Sequence, residues 1–196
     1  MTLLNRSWLW TSSLCIAMLA ALLFAGCDKT APNAKAEMKP AAQARPTIRI
    51  RAGVEDTTPF KDSAGNVWLP DQGFLDGQTI DRPDVTVANT KDPAIYHAER
   101  YGMTGYSIPV PNGKYTVKLH FSENYDGNVG PKSRVFSFKV GDAPEVKDFD
   151  LWTESGGAQK ALVKTFTVNV TNGKLDITFT PNIENPQING IEIIPA

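Results

Sequence analysis

The sequence predicts an all-β domain over residues 47–196, with antiparallel sheets stacked face to face as a β-sandwich. Three features predict it. Short runs alternate between apolar and polar side chains, two pairs of runs flank an Asn-Gly dipeptide, and there is hardly any helical period after Thr47. One-sided alternation over many short strands gives each sheet a face for the core and a face for water. Two such sheets bury their apolar faces against each other.

The elements follow in order. "TIRIRAG" sets Ile48 and Ile50 against Arg49 and Arg51 as a first strand. Residues 53–94 show little alternation and hold Gly53, Pro59, Gly65, Pro70, Gly73, Gly77, Pro83 and Pro93. An irregular stretch of that length is uncommon unless it is functional. It also carries Trp68 and Phe74, which are costly to leave in water. It therefore predicts a folded flap over one sandwich edge, with a short strand near Val67–Leu69 and Trp68 as its core. "GYSIPVPNGKYTVKLHF" holds two runs around Asn112-Gly113, with Tyr106, Ile108 and Val110 on one face and Tyr115, Val117, Leu119 and Phe121 on the other run's face. "FTVNVTNGKLDITF" repeats the device around Asn172-Gly173. Asn-Gly between alternating runs predicts a β-hairpin at both places. "SRVFSFKVG" and the final "INGIEII" complete the strands, and the polar alternates Lys118, His120, Ser137, Lys139, Asp176 and Thr178 are expected to face water.

Ahead of the domain, residues 1–26 read as an export signal: Arg6, an apolar run, then small residues before Cys27. "FAGC" (24–27) resembles the bacterial lipobox, in which the cysteine thiol receives a diacylglycerol; this implies a membrane-anchored lipoprotein of the periplasm or cell envelope. The run from Leu14 to Phe24 is short for a span, which takes about 20 apolar residues. An ordinary cleaved signal and an uncleaved anchor are the other readings. Residues 27–46, rich in Ala, Pro and Lys, predict a flexible linker.

Composition excludes several functions. A formal net charge of −1 carries no nucleic-acid footprint. Both cysteines, Cys15 and Cys27, precede the domain, so it has no disulfide, thiolate metal site or cysteine nucleophile. His97 and His120 are the only histidines and lack zinc-ligand spacing. "DSAGN" (62–66) could lend oxygens to a structural calcium ion, though a turn explains it equally; no other cofactor is expected.

The stretch "KLHFSENYDGNVG" (118–130) is where chemistry shows. Alternation ends in Ser122, Glu123, Asn124, Tyr125 and Asp126, and a plain turn needs neither Glu123 nor Tyr125. A pyranose has an apolar face on which a tyrosine ring can stack, and a rim of hydroxyls from which a carboxylate can accept. Loops at the end of a rigid scaffold are where binding groups sit. Glu123 continues the inward parity of Leu119 and Phe121, so it would need a buried partner, Arg100 or Arg134. Tyr101 could serve a site or the core, and Trp152 could edge a site.

The segments "GNVWLPDQGF" (65–74), "DPAIYHAERYG" (92–102), "YSIPVPNGKYTVKLHFSENY" (106–125), "RVFSFKVG" (134–141), "DFDLW" (148–152), Gly156–Ala158 and "NPQINGIEI" (185–193) occur in this order. Together they resemble the malectin domain, a carbohydrate-binding family, over essentially all of residues 48–195. The resemblance implies a jelly-roll-like β-sandwich and a site for glucose-type or related oligosaccharides. It implies site roles for Tyr101 in the Glu-Arg-Tyr motif, for Tyr125 at the "FSENY" strand end, and for Glu184, the acid before Asn-Pro. Asp126 stands where the animal member has phenylalanine. For the family's flap aromatic, Phe74, three after Asp71, is nearest by motif. Asp71 and Asp126 complete the candidate set.

The leading function is thus a non-catalytic binder of oligosaccharide or polysaccharide, held at a membrane through Cys27. A protein-interaction or surface-assembly module on the same fold is the alternative. A glycoside hydrolase is a third, since Asp71, Glu99, Glu123, Asp126 and Glu184 offer acids that could pair across a glycosidic bond.

Overall fold

The computed structural model describes residues 45–196. The export signal, Cys27 and all but the last two residues of the expected linker lie outside the described residues. In chain order the elements are β1 (Ile48–Arg51), β2 (Phe60–Lys61), β3 (Val67–Trp68), β4 (Gln78–Asp81), β5 (Ala98–Tyr101), β6 (Gly105–Pro109), β7 (Gly113–Phe121), β8 (Val135–Val140), β9 (Val146–Asp150), α1 (Leu151–Ser155), β10 (Leu162–Val170), β11 (Lys174–Ile183), β12 (Gln187–Ile188) and β13 (Gly190–Pro195). A 3-10 turn, Pro93–Ile95, precedes β5.

Two four-stranded sheets, ordered β1-β13-β7-β10 and β6-β11-β8-β9, form the predicted sandwich. Alternation along β7 sends Tyr115, Val117, Leu119 and Phe121 inward from the first sheet. Phe136, Phe138, Phe149 and Phe179 meet them from the second. The Phe121 ring lies 5.4 Å from Phe149 and 5.7 Å from Phe138, within the range where tilted aromatic pairs attract.

Neither Asn-Gly dipeptide makes a hairpin. β6 pairs with β11 in the second sheet, while β7 pairs with β10 and β13 in the first. Each Asn-Gly is a corner that carries the chain from one sheet to the other. A hairpin turn of the expected type needs φ > 0 at both central residues. Here only the glycines have it, Gly113 at 147° and Gly173 at 79°. Alternation reports which face is buried, not which strand is the neighbour, and an arch buries the same faces as a hairpin. The corners brace each other: Gly173 N donates to Asn112 Oδ1 at 2.7 Å, and Val110 N donates to Gly173 O at 3.0 Å. Arg45 docks at this end, donating to the carbonyls of Lys114 and Ala196, so the expected linker is already bound to the domain at its penultimate residue.

The irregular stretch is a folded flap, with β2 and β3 paired and Leu69 bridged to Ile50 of β1. Trp68 centres a small core with Val87, Ile95 and Tyr96. The flap covers the outer face of the first sheet, which corrects the expectation for His120. Its ring is buried edge-on to Trp68, 5.3 Å between centroids. Ser137 is buried as well, between Asn182 and Asp148. In "DSAGN" the Asp62 carboxylate accepts from the backbone of Ala64 and Asn66, from the Asn66 amide and from Trp68 Nε1. Both oxygens serve the turn and the flap core. The flap also supplies β4, which joins β5 and β12 in a three-stranded sheet at the end of the sandwich opposite the corners.

Candidate functional site

The site end is assembled by hydrogen bonds between buried amides. Ser122 N donates to Asn189 Oδ1 at 2.7 Å, and Asn189 Nδ2 donates to the carbonyls of Tyr96 and Ala98. Gln187 Nε2 donates to Ser122 O at 2.9 Å. These bonds fasten the end of β7, the start of β5 and the β12–β13 segment to one another. The three-stranded sheet is thereby fixed against the sandwich.

From that frame several clefts open; one, with a volume of about 240 Å³, is lined by Ile80, Arg82, Glu99, Tyr101, Tyr125, Arg134 and Glu184. Antiparallel register explains half of it. Ile80 lies opposite Glu99 and Gln78 opposite Tyr101, so the period of two places Gln78, Ile80, Glu99 and Tyr101 on one face. Arg82 follows with the same parity. Tyr101 OH donates to Gln78 Oε1 at 3.0 Å, which fixes the ring's tilt.

The other half comes from loops organised by Glu123. Its carboxylate is fully buried and takes Arg134 Nε at 2.6 Å, Asn128 Nδ2 at 2.9 Å and the backbone N–H of Tyr125 at 3.1 Å. The predicted partner is therefore Arg134, not Arg100. Glu123 is not a wall of the cleft; it sets the loop that presents Tyr125 and the guanidinium of Arg134. Tyr125 is 46% exposed. Arg134 Nη1 also donates to Asn185 O, which ties this loop to the segment bearing Glu184. Glu184 sits at φ 60°, a left-handed position, and its carboxylate accepts from Asn185 Nδ2 at 3.0 Å.

Tyr101, Tyr125 and Glu184 thus line a single cleft. Asp71 and Phe74 lie elsewhere, for a reason of parity. Arg100 stands between Glu99 and Tyr101 on β5 and so points to the opposite face. Asp71 accepts from Arg100 Nε at 2.7 Å, from Gly53 N at 2.7 Å and from Tyr106 OH at 3.0 Å, and Phe74 stacks on the same guanidinium at 3.5 Å. Asp71, its carboxylate held by these three donors, and Phe74 line a separate cleft of about 400 Å³ with Arg100. Asp126 is exposed in the loop and does not line the cleft, and Trp152 lies on α1 outside it.

Four cleft residues were not among the candidates for a sugar-binding site: Ile80, Arg82, Glu99 and Arg134. Glu99 is 2% exposed. Arg82 Nη1 approaches its Oε1 at 3.2 Å. Burial pushes the Glu99 pKa up, and the nearby charges of Arg82 and Arg134 only partly counter it. By contrast Glu192, beneath the flap, is drawn down. Burial opposes its ionisation, but hydrogen bonds from His120 and Arg49 outweigh that and hold it at about 2. Among the described residues, no cluster of three or more His, Cys, Asp or Glu side chains could hold a metal ion.

Comparison with known proteins agrees with this architecture. The sequence model of the malectin domain family matches residues 47–191. Receptor-like protein kinase FERONIA of Arabidopsis thaliana is 30% identical over 146 residues, covering 67% of this chain and 16% of that protein. A probable leucine-rich repeat receptor-like serine/threonine-protein kinase of the same plant is 43% identical over 81 residues, covering 38% of this chain and 8% of that protein. The chain therefore spans a small part of these relatives. Among solved structures, the plant receptor-like kinase FER superposes with TM-score 0.64 at 25% identity, over 77% of this chain and 42% of that one. Bacteroides uniformis β-glucuronidase superposes with TM-score 0.66 at 21% identity, over 76% of this chain and 18% of that one, a likeness of fold. The chain belongs to the malectin domain family.

Proposed function

We propose that this is an exported, non-catalytic domain that binds an oligosaccharide or polysaccharide in the cleft of Tyr101, Tyr125 and Glu184. The observation that carries the reading is convergence: three segments far apart in the chain deliver two rings and an acid to one small cleft. The rings offer stacking surfaces for a pyranose face, and the carboxylate offers an acceptor to its hydroxyls. At about 240 Å³ the cleft falls below the roughly 300–1,000 Å³ of pockets that enclose a small ligand, which favours partial capture of a chain over burial of a substrate.

Attachment through Cys27 belongs to the same proposal, supported by "FAGC" and the linker sequence behind it. Arg45 meets the domain at the corner end, so a tether entering there would leave the cleft on the far side. Cys27→Ser should release the protein from membranes or block its processing; unchanged membrane fractionation of a processed variant would refute the anchor.

Glycan-array binding, followed by calorimetry on the sugars found, tests the site. Affinity equal to wild type in both Tyr125→Ala and Glu184→Ala would overturn it, and turnover in a parallel hydrolysis assay would overturn the non-catalytic part. The second reading is a protein partner. It draws on the exposed apolar side chains at this end, Tyr125, Val129 and Ile183, and on FER having been solved with the plant peptide RALF23 and LLG2. Failure of every glycan to bind would favour it.

A further inference from the structure

Three clefts at the site end share their walls. Tyr101 lines the cleft described above and also a second, of about 410 Å³, with Gly77, Gln78 and Asn185. Gly77 and Gln78 in turn line the third, of about 400 Å³, which holds Phe74. The second cleft lies where β4 begins and β5 ends, at the end of the three-stranded sheet. The first and third lie on opposite faces of that sheet, because Glu99 and Tyr101 point one way from β5 and Arg100 the other. The clefts therefore succeed one another as a track that starts at Tyr125, passes Tyr101 and turns around the sheet end to Phe74.

The far end of the track repeats the chemistry of the near end. Phe74 is 42% exposed although one face of its ring rests on the Arg100 guanidinium at 3.5 Å, so the exposure belongs to the opposite face and the edge. The guanidinium is itself fixed, by Asp71 at 2.7 Å and by the carbonyl of Gly77 at 3.1 Å. A ring held in place before the ligand arrives offers stacking area at little ordering cost. Beside it stands Glu55, an exposed carboxylate of the same cleft, whose Oε1 accepts from Thr79 Oγ1 at 2.9 Å and whose other oxygen can accept from a ligand hydroxyl. Ring plus acid is the pairing that Tyr125 and Glu184 make in the first cleft. Midway, Gln78 Oε1 is engaged by Tyr101 OH, which leaves the amide nitrogen of this exposed side chain to donate to the ligand.

We infer that the ligand is a glycan chain longer than a disaccharide, bound in the first cleft and continued around the sheet end onto Phe74 and Glu55 as a second stacking subsite. This rests on the carbohydrate reading proposed above. A chain anchored at one subsite meets the other at high effective concentration, so affinity rises with length even where each contact is modest. Rings on opposite faces of one sheet cannot both stack on a straight rod, so the track selects a chain that bends.

The test is a length series, read by calorimetry with malto- and laminari-oligosaccharides from the disaccharide to the heptasaccharide. Cello-oligosaccharides, stiff and extended, are the control. In wild type, Kd should fall about two- to tenfold beyond the disaccharide and then level off, the return expected from one further stacked ring. Phe74→Ala should flatten the series and leave disaccharide affinity as in wild type, whereas Tyr125→Ala should weaken every length. Where Phe74→Ala melts low, Glu55→Gln, at an exposed side chain, decides in its place by the same loss of gain. A wild type that binds disaccharide and heptasaccharide alike overturns the inference and leaves the carbohydrate reading standing. So does a gain that survives in both Phe74→Ala and Glu55→Gln, a loss in Phe74→Ala that is equal at every length, or a gain confined to the cello-oligosaccharides. If no sugar of the series binds wild type, the inference falls together with the reading beneath it.

Discussion

The two ends of the sandwich solve the same problem in different ways. At the corner end the chain twice changes sheets through Asn-Gly, and its polar groups are spent locally, as in the bond from Gly173 N to Asn112 Oδ1 and that from Tyr115 OH to Pro111 O. No unpartnered buried side-chain atom lies there among the described residues. At the site end a third sheet and two loops converge, charges are buried, and polar atoms are left over. A fold that only needed closing would resemble the corner end throughout. The leftover atoms of the site end, on Arg51, Arg82, Glu99 and Gln187, show that buried polar groups are packed less completely there than at the corners. Within that end the same distinction separates two glutamates: Glu123, with its carboxylate held by three donors, builds the loop, and Glu99, buried and ion-paired with Arg82, stands in the cleft wall.

The largest expected effect removes the satisfied acid. Glu123→Ala strands Arg134 as a buried, unpaired cation, which should cost about 3–5 kcal/mol. It also releases the backbone of Tyr125, so sugar affinity should fall with the melting temperature. Denaturant unfolding with a parallel binding titration checks both. A stable variant with normal binding would erase the distinction between the two glutamates.

Next come two glycines with the same φ of 79°, one at each end of the comparison. A Cβ on Gly53 would stand 2.2 Å from the backbone carbonyl of Glu99, whereas a Cβ on Gly173 would meet nothing within 4 Å. Both alanine variants bear the left-handed backbone cost of about 1–2 kcal/mol. Gly53→Ala adds overpacking against a strand that cannot yield, about 1–3 kcal/mol more, and it should displace Glu99 and weaken binding. Gly173→Ala should lose stability alone. Equal unfolding free energies for the two would show that conformation, not the crowding of the site end, decides.

A pH series sharpens the contrast between satisfied and unsatisfied acids. Glu192 is held at about 2 in the folded chain against an ordinary value of 4.5. Its contribution to stability is present above the ordinary value and lost as pH falls from about 4.5 toward about 2. Glu99 has the opposite sign: its pKa is raised by burial, so its ionisation takes stability away as pH rises through the raised value. Melting temperatures of Glu192→Gln should lose the acid-side dependence and those of Glu99→Gln should keep it.

Much of this was legible in the residues, and the limits were physical. Tyr125 stood out because a plain turn needs no ring, whereas Tyr101 was nominated by the Glu-Arg-Tyr motif of the family resemblance and could equally have been core. The partner of Glu123 was narrowed to two arginines by parity alone. The hairpins failed because period-two alternation records a buried face and is silent about which strand lies beside it. Ile80 and Arg82 were missed, and Glu99 was named only among the acids of a hydrolase, because the three meet only through the register of β4 and β5, and "QTID" in β4 does not alternate. Asp71 and Phe74 were nominated by motif, and the parity of β5, which sets Arg100 opposite to Tyr101, places them at a separate cleft.

The smallest effect tests the rings. Tyr125 is presented by a loop, nearly half exposed, and contributes little to either apolar cluster. Its removal should therefore leave unfolding within about 0.5 kcal/mol of wild type, as for surface substitutions away from special features. Binding should lose the stacking term of about 0.5–1.5 kcal/mol, a few-fold to about tenfold in Kd. Tyr125→Phe should retain most of that affinity, because the face and not the hydroxyl does the stacking. Tyr125→Ala is thus the inverse of Gly173→Ala: one changes binding without stability, the other stability without binding. If Tyr125→Ala instead unfolds early and binds normally, the ring is a structural brace for its loop, and the division between the two ends has been drawn in the wrong place.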